Sequence, residues 1–172
     1  MIDSNLKYKT GARRFWASVI DILIFIPLIF LDEFINFTDP FSILAWQASI
    51  SLAGYSYSII MHYKYGQTLG KMAFNIKVLD VSESQNLTFK QALLRDSVPI
   101  LIDLMGFIYF SFLINKKPLS TNDLITNYED LVAIVGLVWV LLELITMLAN
   151  KKRRAIHDYI AKTVVIRIEA RE

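Results

Sequence analysis

The sequence predicts an all-α membrane protein: four transmembrane helices with a small cytoplasmic two-stranded β element. Three observations carry that prediction. The chain contains four apolar runs close to the length of a membrane span. Hydrophobic residues make up 55% of the 172 positions, and the mean hydropathy is +0.44. Basic residues concentrate in alternate connecting segments. So much apolar surface exceeds what one soluble core of this size can bury, so lipid is the expected solvent and the bilayer the expected partner. Residues 1–172 read as a single domain.

The first run, Phe15 to Leu31, follows positive charge as a secretory signal would. It leads into Leu31, Asp32, Glu33 and Phe34 rather than into small residues at a cleavage site, so it is expected to remain as a span. The second run is Ile43 to Met61, the third Val98 to Ile114 and the fourth Leu131 to Leu148. Each has about 17 to 19 residues, just enough for a helical crossing. The third holds Pro99 and Asp103, but the preceding Thr88–Gln91 segment, TFKQ, reads as a capping box able to start a helix into it. Between the second and third runs, segment 62–97 is polar, and within it Phe74, Ile76 and Val78 alternate with Asn75, Lys77 and Leu79. In the tail, 149–172, Val164, Ile166 and Ile168 alternate with Val165, Arg167 and Glu169. A period of two predicts a strand in each, paired against the inner membrane surface.

Orientation follows from lysine and arginine. Of the 18 basic residues all but Lys116 and Lys117 fall in the N-terminal segment, the middle segment and the tail. Positive charge is retained on the cytoplasmic side, so both termini are expected there, in the cell membrane. The first outer loop, Asp32 to Pro40, is acidic and carries no base.

Several chemistries are excluded. With no cysteine there is no disulfide framework, thiolate nucleophile or cysteine metal site. GQTLGK (Gly66 to Lys71) resembles a phosphate loop, but three residues rather than four precede the Gly-Lys pair and Met72 follows it; a glycine-assisted turn into a strand fits better. His157 and Asp158 have the composition of a base and its orienting acid, yet no activated nucleophile completes the set, and a capping or docking role for Asp158 is expected. His62 and His157 have no metal-ligand partners at diagnostic spacing. Lys151–Arg154, KKRR, reads as a topology anchor in contact with anionic lipid, and a net charge of +2 leaves no broad basic face for nucleic acid. The chain is expected to be neither an enzyme nor a cofactor protein.

RRFWASVID, YGQTLGKMAFNIKVLD, TFKQALLRD and RRAIHDYIAKTVV, in that order between hydrophobic runs, resemble the RDD family of membrane proteins. The resemblance touches most of the chain. It places the arginine of the family's name at Arg14, its first aspartate at Asp21 and its second at Asp158, with Arg154 and His157 in the same closing motif. A glycine is usual in the family where this chain has Lys162, so the turn before the last strand is expected to differ in its backbone. The resemblance implies a multi-pass protein suspected of transport, with sodium/proton exchange proposed for some members.

The residues themselves point to intramembrane chemistry. With alternate spans running in opposite directions, Asp21, Asp103 and Glu143 are expected within a few ångströms of one plane, in the inner half of the bilayer. Gln47, Ser51, Tyr55, Ser58 and His62 recur at helical spacing and share one face. Carboxylates beside amide and hydroxyl oxygens suit sodium or a proton relay. Arg14 lies two turns below Asp21, where it could pair with it or compete with a cation. Two function classes follow. One is a small exchanger of monovalent cations and protons, built as a homo-oligomer because four spans make a thin wall. The other is a non-transporting scaffold or accessory subunit whose polar groups hold helices together and whose cytoplasmic face docks a protein or lipid partner.

Overall fold

Each apolar run falls on a helix longer than the run itself, the first ending one residue beyond its helix, in the 3-10 turn Leu31–Phe34. In the computed structural model, which describes residues 4–35, 39–116 and 121–168, the long helices are α2 (Gly11–Phe30), α3 (Pro40–Tyr65), α5 (Phe89–Lys116) and α6 (Thr121–Ala149). Short helices α1 (Ser4–Lys7), α4 (Leu69–Ala73) and α7 (Ile156–Ile160) and strands β1 (Ile76–Asp80) and β2 (Thr163–Arg167) lie at the ends. Residues 36–38, Lys117 and Glu169 fall outside the described residues.

Local signals set the added length. Asp39 caps α3 by accepting from the Ser42 N–H at 3.0 Å, Pro40 occupies its first turn, and Gly66, at φ 69°, ends it in the left-handed conformation with its N–H on the His62 carbonyl. The TFKQ box forms as read: Thr88 Oγ1 accepts from the Gln91 N–H at 3.2 Å, and Gln91 Oε1 accepts from the Thr88 N–H at 3.0 Å. The helix it starts runs unbroken through the third apolar run, Pro99 included.

α3 packs on α5 and α5 on α6, while α2 packs on α4. Two helical segments, Phe89–Ile114 and Thr126–Ala149, are long and apolar enough to cross a membrane. Only 11% and 6% of their most apolar windows are buried. A soluble core helix would be mostly enclosed, so these surfaces fit lipid. Among the described residues α2 and α3 do not reach the same standard, because α2 carries Arg13, Arg14 and Asp21, and α3 spends one face on Gln47, Ser51, Tyr55 and Ser58.

The strands pair antiparallel, with Ile76 opposite Arg167, Val78 opposite Val165 and Asp80 opposite Thr163. In β1 the alternation holds, and Ile76 and Val78 are fully buried. In β2 it fails. Val165 joins Ile76, Val78, Leu87 and Ala17 in one apolar cluster, yet Val164, facing the other way, is also fully buried. β2 packs beside α1 and α7 as well as β1, so both its faces are covered and the apolar alternation in the tail does not mark the core side.

Candidate functional site

The expected site residues, Gln47 apart, fall in three polar clusters, each assembled by several elements. The first is built on Asp158, which is fully buried. It caps α7 by accepting from the Ala155 N–H at 3.1 Å. Arg14 Nη1 donates to its Oδ2 at 2.7 Å, and Arg95 Nη1 pairs with its Oδ1. Thr163 Oγ1 donates to Oδ1 at 3.3 Å. Burial pushes the Asp158 carboxyl up, but the guanidinium groups of Arg95 and Arg14 outweigh it and hold the acid well below the usual carboxylate range. Each arginine also has carbonyl or imidazole partners. Arg14 Nη2 donates to the Arg153 carbonyl at 3.0 Å, and Arg95 Nη2 lies 2.9 Å from His157 Nε2. Glu143 closes the cluster: it accepts from the His157 N–H at 3.0 Å and pairs with His157 Nδ1 at 2.5 Å. Arg154 braces the same corner, donating to the Thr163 and Asp158 carbonyls and lying over the Tyr159 ring.

The second place is Asp21. Its Oδ2 accepts from Thr68 Oγ1 at 2.6 Å, and its Oδ1 from the Gly70 N–H and the Tyr57 hydroxyl, both at 2.9 Å. Tyr57 in turn accepts from the Leu69 N–H. The acid therefore holds the start of α4 against α2. Gly70 makes this possible, since a Cβ there would lie 2.0 Å from the Ala17 carbonyl oxygen. This is the account of GQTLGK: Gly66 ends α3, Thr68 caps α4, and Gly70 allows the backbones to touch.

The third is the seam between α3 and α5. Asp103 Oδ2 accepts from Ser51 Oγ at 2.8 Å and from the Tyr55 hydroxyl at 3.0 Å. Two turns along α5, on the same face, Asp96 lies against Ser58 and within the fields of Arg95, Lys71 and His157. Ser58 also meets His62 Nδ1 at 3.2 Å. His62 is 3% exposed, and its Nε2, like Asp96 Oδ2, is buried without a hydrogen-bond partner among the described residues. The seam thus runs as a polar file from Ser51 to the Arg95 cluster between two otherwise apolar helices. Gln47 lies partly buried farther along α3.

The structure corrects two expectations. Arg14 pairs with Asp158 of α7 rather than with Asp21, because Asp21 is turned to α4, where Thr68 and Gly70 take its oxygens. Asp21, Asp103 and Glu143, expected at one depth, each have a separate set of partners. The expected capping role of Asp158 is what the geometry shows, and the shared face of Ser51, Tyr55 and Ser58 is turned to α5. The turn before the last strand, expected to differ in its backbone, instead keeps the conformation a glycine would have: Lys162 is left-handed at φ 54°. Sequence reasoning did not single out Thr68, Gly70, Arg95, Asp96 or Thr163 as site residues. A signal existed for Arg95 and Asp96, an adjacent opposite-charge pair at the entrance to an apolar run, seven residues before Asp103 for the acid.

Comparison with known proteins agrees with this arrangement of motifs. The sequence profile of the RDD family matches residues 8–162. An uncharacterized membrane protein of Bacillus subtilis (strain 168), YteJ, is 25% identical over 122 residues, which cover 66% of this chain and 74% of that protein. No solved structure matches.

Proposed function

Because the chain belongs to the RDD family, we propose that it is a four-span protein of the cell membrane that moves protons or monovalent cations such as sodium along the α3–α5 seam. The two apolar helices supply two of the spans. α2 and α3 serve as the others, their polar groups turned to α4, α7 and α5 rather than to lipid. The distribution of lysine and arginine supports a cytoplasmic location for both termini and the sheet.

One observation carries the reading: the buried, unpartnered Asp96 Oδ2 and His62 Nε2, set between the hydroxyl-held Asp103 and the Arg95 cluster. Buried polar atoms ordinarily find partners, so two orphans on one seam mark a place where a proton, a cation or its water is accommodated. Asp103 is the binding carboxylate, Asp96 and His62 the relay toward the cytoplasm, and Asp21 and Glu143 brace the surrounding elements. A homo-oligomer would complete the wall around so thin a bundle.

A second reading has its own support. The sheet, α4 and α7 are tied to the helices by a buried ion cluster centred on Asp158, which makes a rigid face suited to docking a protein or lipid partner. In that case the protein is a scaffold or accessory subunit and the seam is interhelical glue.

Flux separates the two. In proteoliposomes with an imposed pH gradient, wild type should dissipate the gradient on addition of sodium, potassium or lithium. Asp103→Asn and Asp96→Asn, at matched folded protein, should lower that rate at least tenfold, about 1.4 kcal/mol in barrier terms. Wild type no faster than empty liposomes with every cation would overturn the transport reading and leave the docking one.

A further inference from the structure

We infer that the cavity where α1 leads into α2 and α6 ends is a binding site for the phosphate of an anionic glycerophospholipid. The cavity measures about 480 Å³ and is lined by Tyr8, Lys9, Leu148, Asn150, Lys151 and Arg153, with Ala149. That volume falls in the range of small-molecule sites, roughly 300–1,000 Å³.

The commitments of the lining groups decide what it takes. The Tyr8 hydroxyl already donates to Glu83 at 2.7 Å. The Asn150 amide is spent on the turn after α6, donating to the Thr146 and Arg154 carbonyls and accepting from the Arg154 N–H. Two nearby lysines, Lys7 and Lys152, share one carboxylate, Glu83, at 2.5 and 2.6 Å. The three cations that line the cavity differ: among the described residues, Lys9, Lys151 and Arg153 have no carboxylate partner, and Arg153 keeps one long bond, 3.4 Å, to the Leu148 carbonyl. Arg153 also holds a left-handed backbone, φ 51°, which turns its carbonyl to Arg14. Glycine would supply that conformation with less strain.

Placement selects a lipid over a soluble phosphate. Leu148 closes the apolar segment Thr126–Ala149 and is 57% exposed beside the cations. A phosphodiester seated on Lys9, Lys151 and Arg153 would therefore have its acyl chains start along the outer surface of α6. The inference needs the membrane embedding of α6 and not the transport reading.

The test uses the full chain purified in detergent and reconstituted in nanodiscs of equal parts phosphatidylglycerol and phosphatidylcholine, with bound lipid counted by native mass spectrometry. Wild type should retain phosphatidylglycerol preferentially. Lys9→Gln, Lys151→Gln and Arg153→Gln should each reduce that preference about fivefold, the effect of one basic residue at an anionic surface. Lys9→Gln and Lys151→Gln touch no hydrogen bond of the Asp158 cluster, so folding should be preserved, with thermal unfolding as the check. Equal retention of the two lipids, or unchanged preference in the folded variants, would overturn the site. Glycerol 3-phosphate displacing the lipid at micromolar concentration would overturn the lipid assignment in favour of a soluble phosphate ester. Loss of stability in all three variants regardless of lipid would show that these cations serve only the α6 carbonyls.

Discussion

Asp158 illustrates how one acid can secure the meeting of four elements. It is wholly enclosed, and its two oxygens face guanidinium groups from α2 and α5, a hydroxyl from β2 and a backbone N–H of its own helix. Burying so many charges is costly, and the cost is offset only while every partner is present. Asp158→Asn leaves two guanidinium groups facing a neutral amide, so we expect a loss of about 3–5 kcal/mol, read as a fall in the thermal midpoint in detergent. The pH dependence has a definite sign. Asp158 is depressed in the folded state, so its contribution is complete above the ordinary aspartate value of 3.8 and is lost as pH falls from there through its depressed value. Glu83 behaves alike. Burial pushes it up, but hydrogen bonds from Lys152, Lys7 and Tyr8 bring it from 4.5 to about 2, so its contribution fades over that window on acidification. Glu83→Gln should therefore make the stability profile less steep between pH 4.5 and 2, leaving the loss linked to Asp158 below 3.8. Lys162 offers the opposite effect: it is exposed and left-handed, and Lys162→Gly should raise stability by about 1 kcal/mol.

At the level of elements, the junction of α2 with α4 is the tightest backbone approach involving a glycine. Gly70 meets the Ala17 carbonyl, and one turn farther Asp21 takes the Gly70 N–H and the Thr68 hydroxyl. In Gly70→Ala the added carbon would lie 2.0 Å from that carbonyl oxygen, so α4 must move off and loosen its hold on Asp21. We expect about 1–3 kcal/mol of destabilisation, together with faster amide exchange in Leu69–Ala73, and unchanged exchange there would refute the contact. The glycine-rich stretch was legible as a turn, but not as a contact with a helix some fifty residues earlier. The TFKQ box was legible because all its partners lie within four residues. The seam stood between these cases. Helical spacing placed Ser51, Tyr55 and Ser58 on one face, and only packing decided that Asp103 and Asp96 would meet it.

At the scale of the whole molecule, charge and exposed apolar surface divide the protein into a lipid-facing bundle and a polar end carrying the sheet. Opposite ends can be addressed because the chain has no native cysteine to interfere. Phe34, 83% exposed in the 3-10 turn Leu31–Phe34, and Ser84, exposed between β1 and α5, lie beyond opposite ends of the proposed spans. In intact cells an impermeant maleimide should label Phe34→Cys, and should label Ser84→Cys only after permeabilisation. Labelling of both from the same side would refute the four-span arrangement.

Composition and periodicity by themselves determined the helical class, the apolar runs and the strand-forming segments, while the family was legible only through the resemblance of its motifs. These depend on neighbours within a turn or two of helix and on how much apolar surface the chain carries. Which acid meets which base was decided only by tertiary structure. Arg14 and Asp21 share one helix and appear paired in the sequence, yet packing sends one to Asp158 and the other to Thr68 and Gly70. The same holds for β2, whose two covered faces erase the alternation that would have identified its inner side. Partners distant in sequence leave no local pattern, because the free energy that selects them arises only when the elements pack.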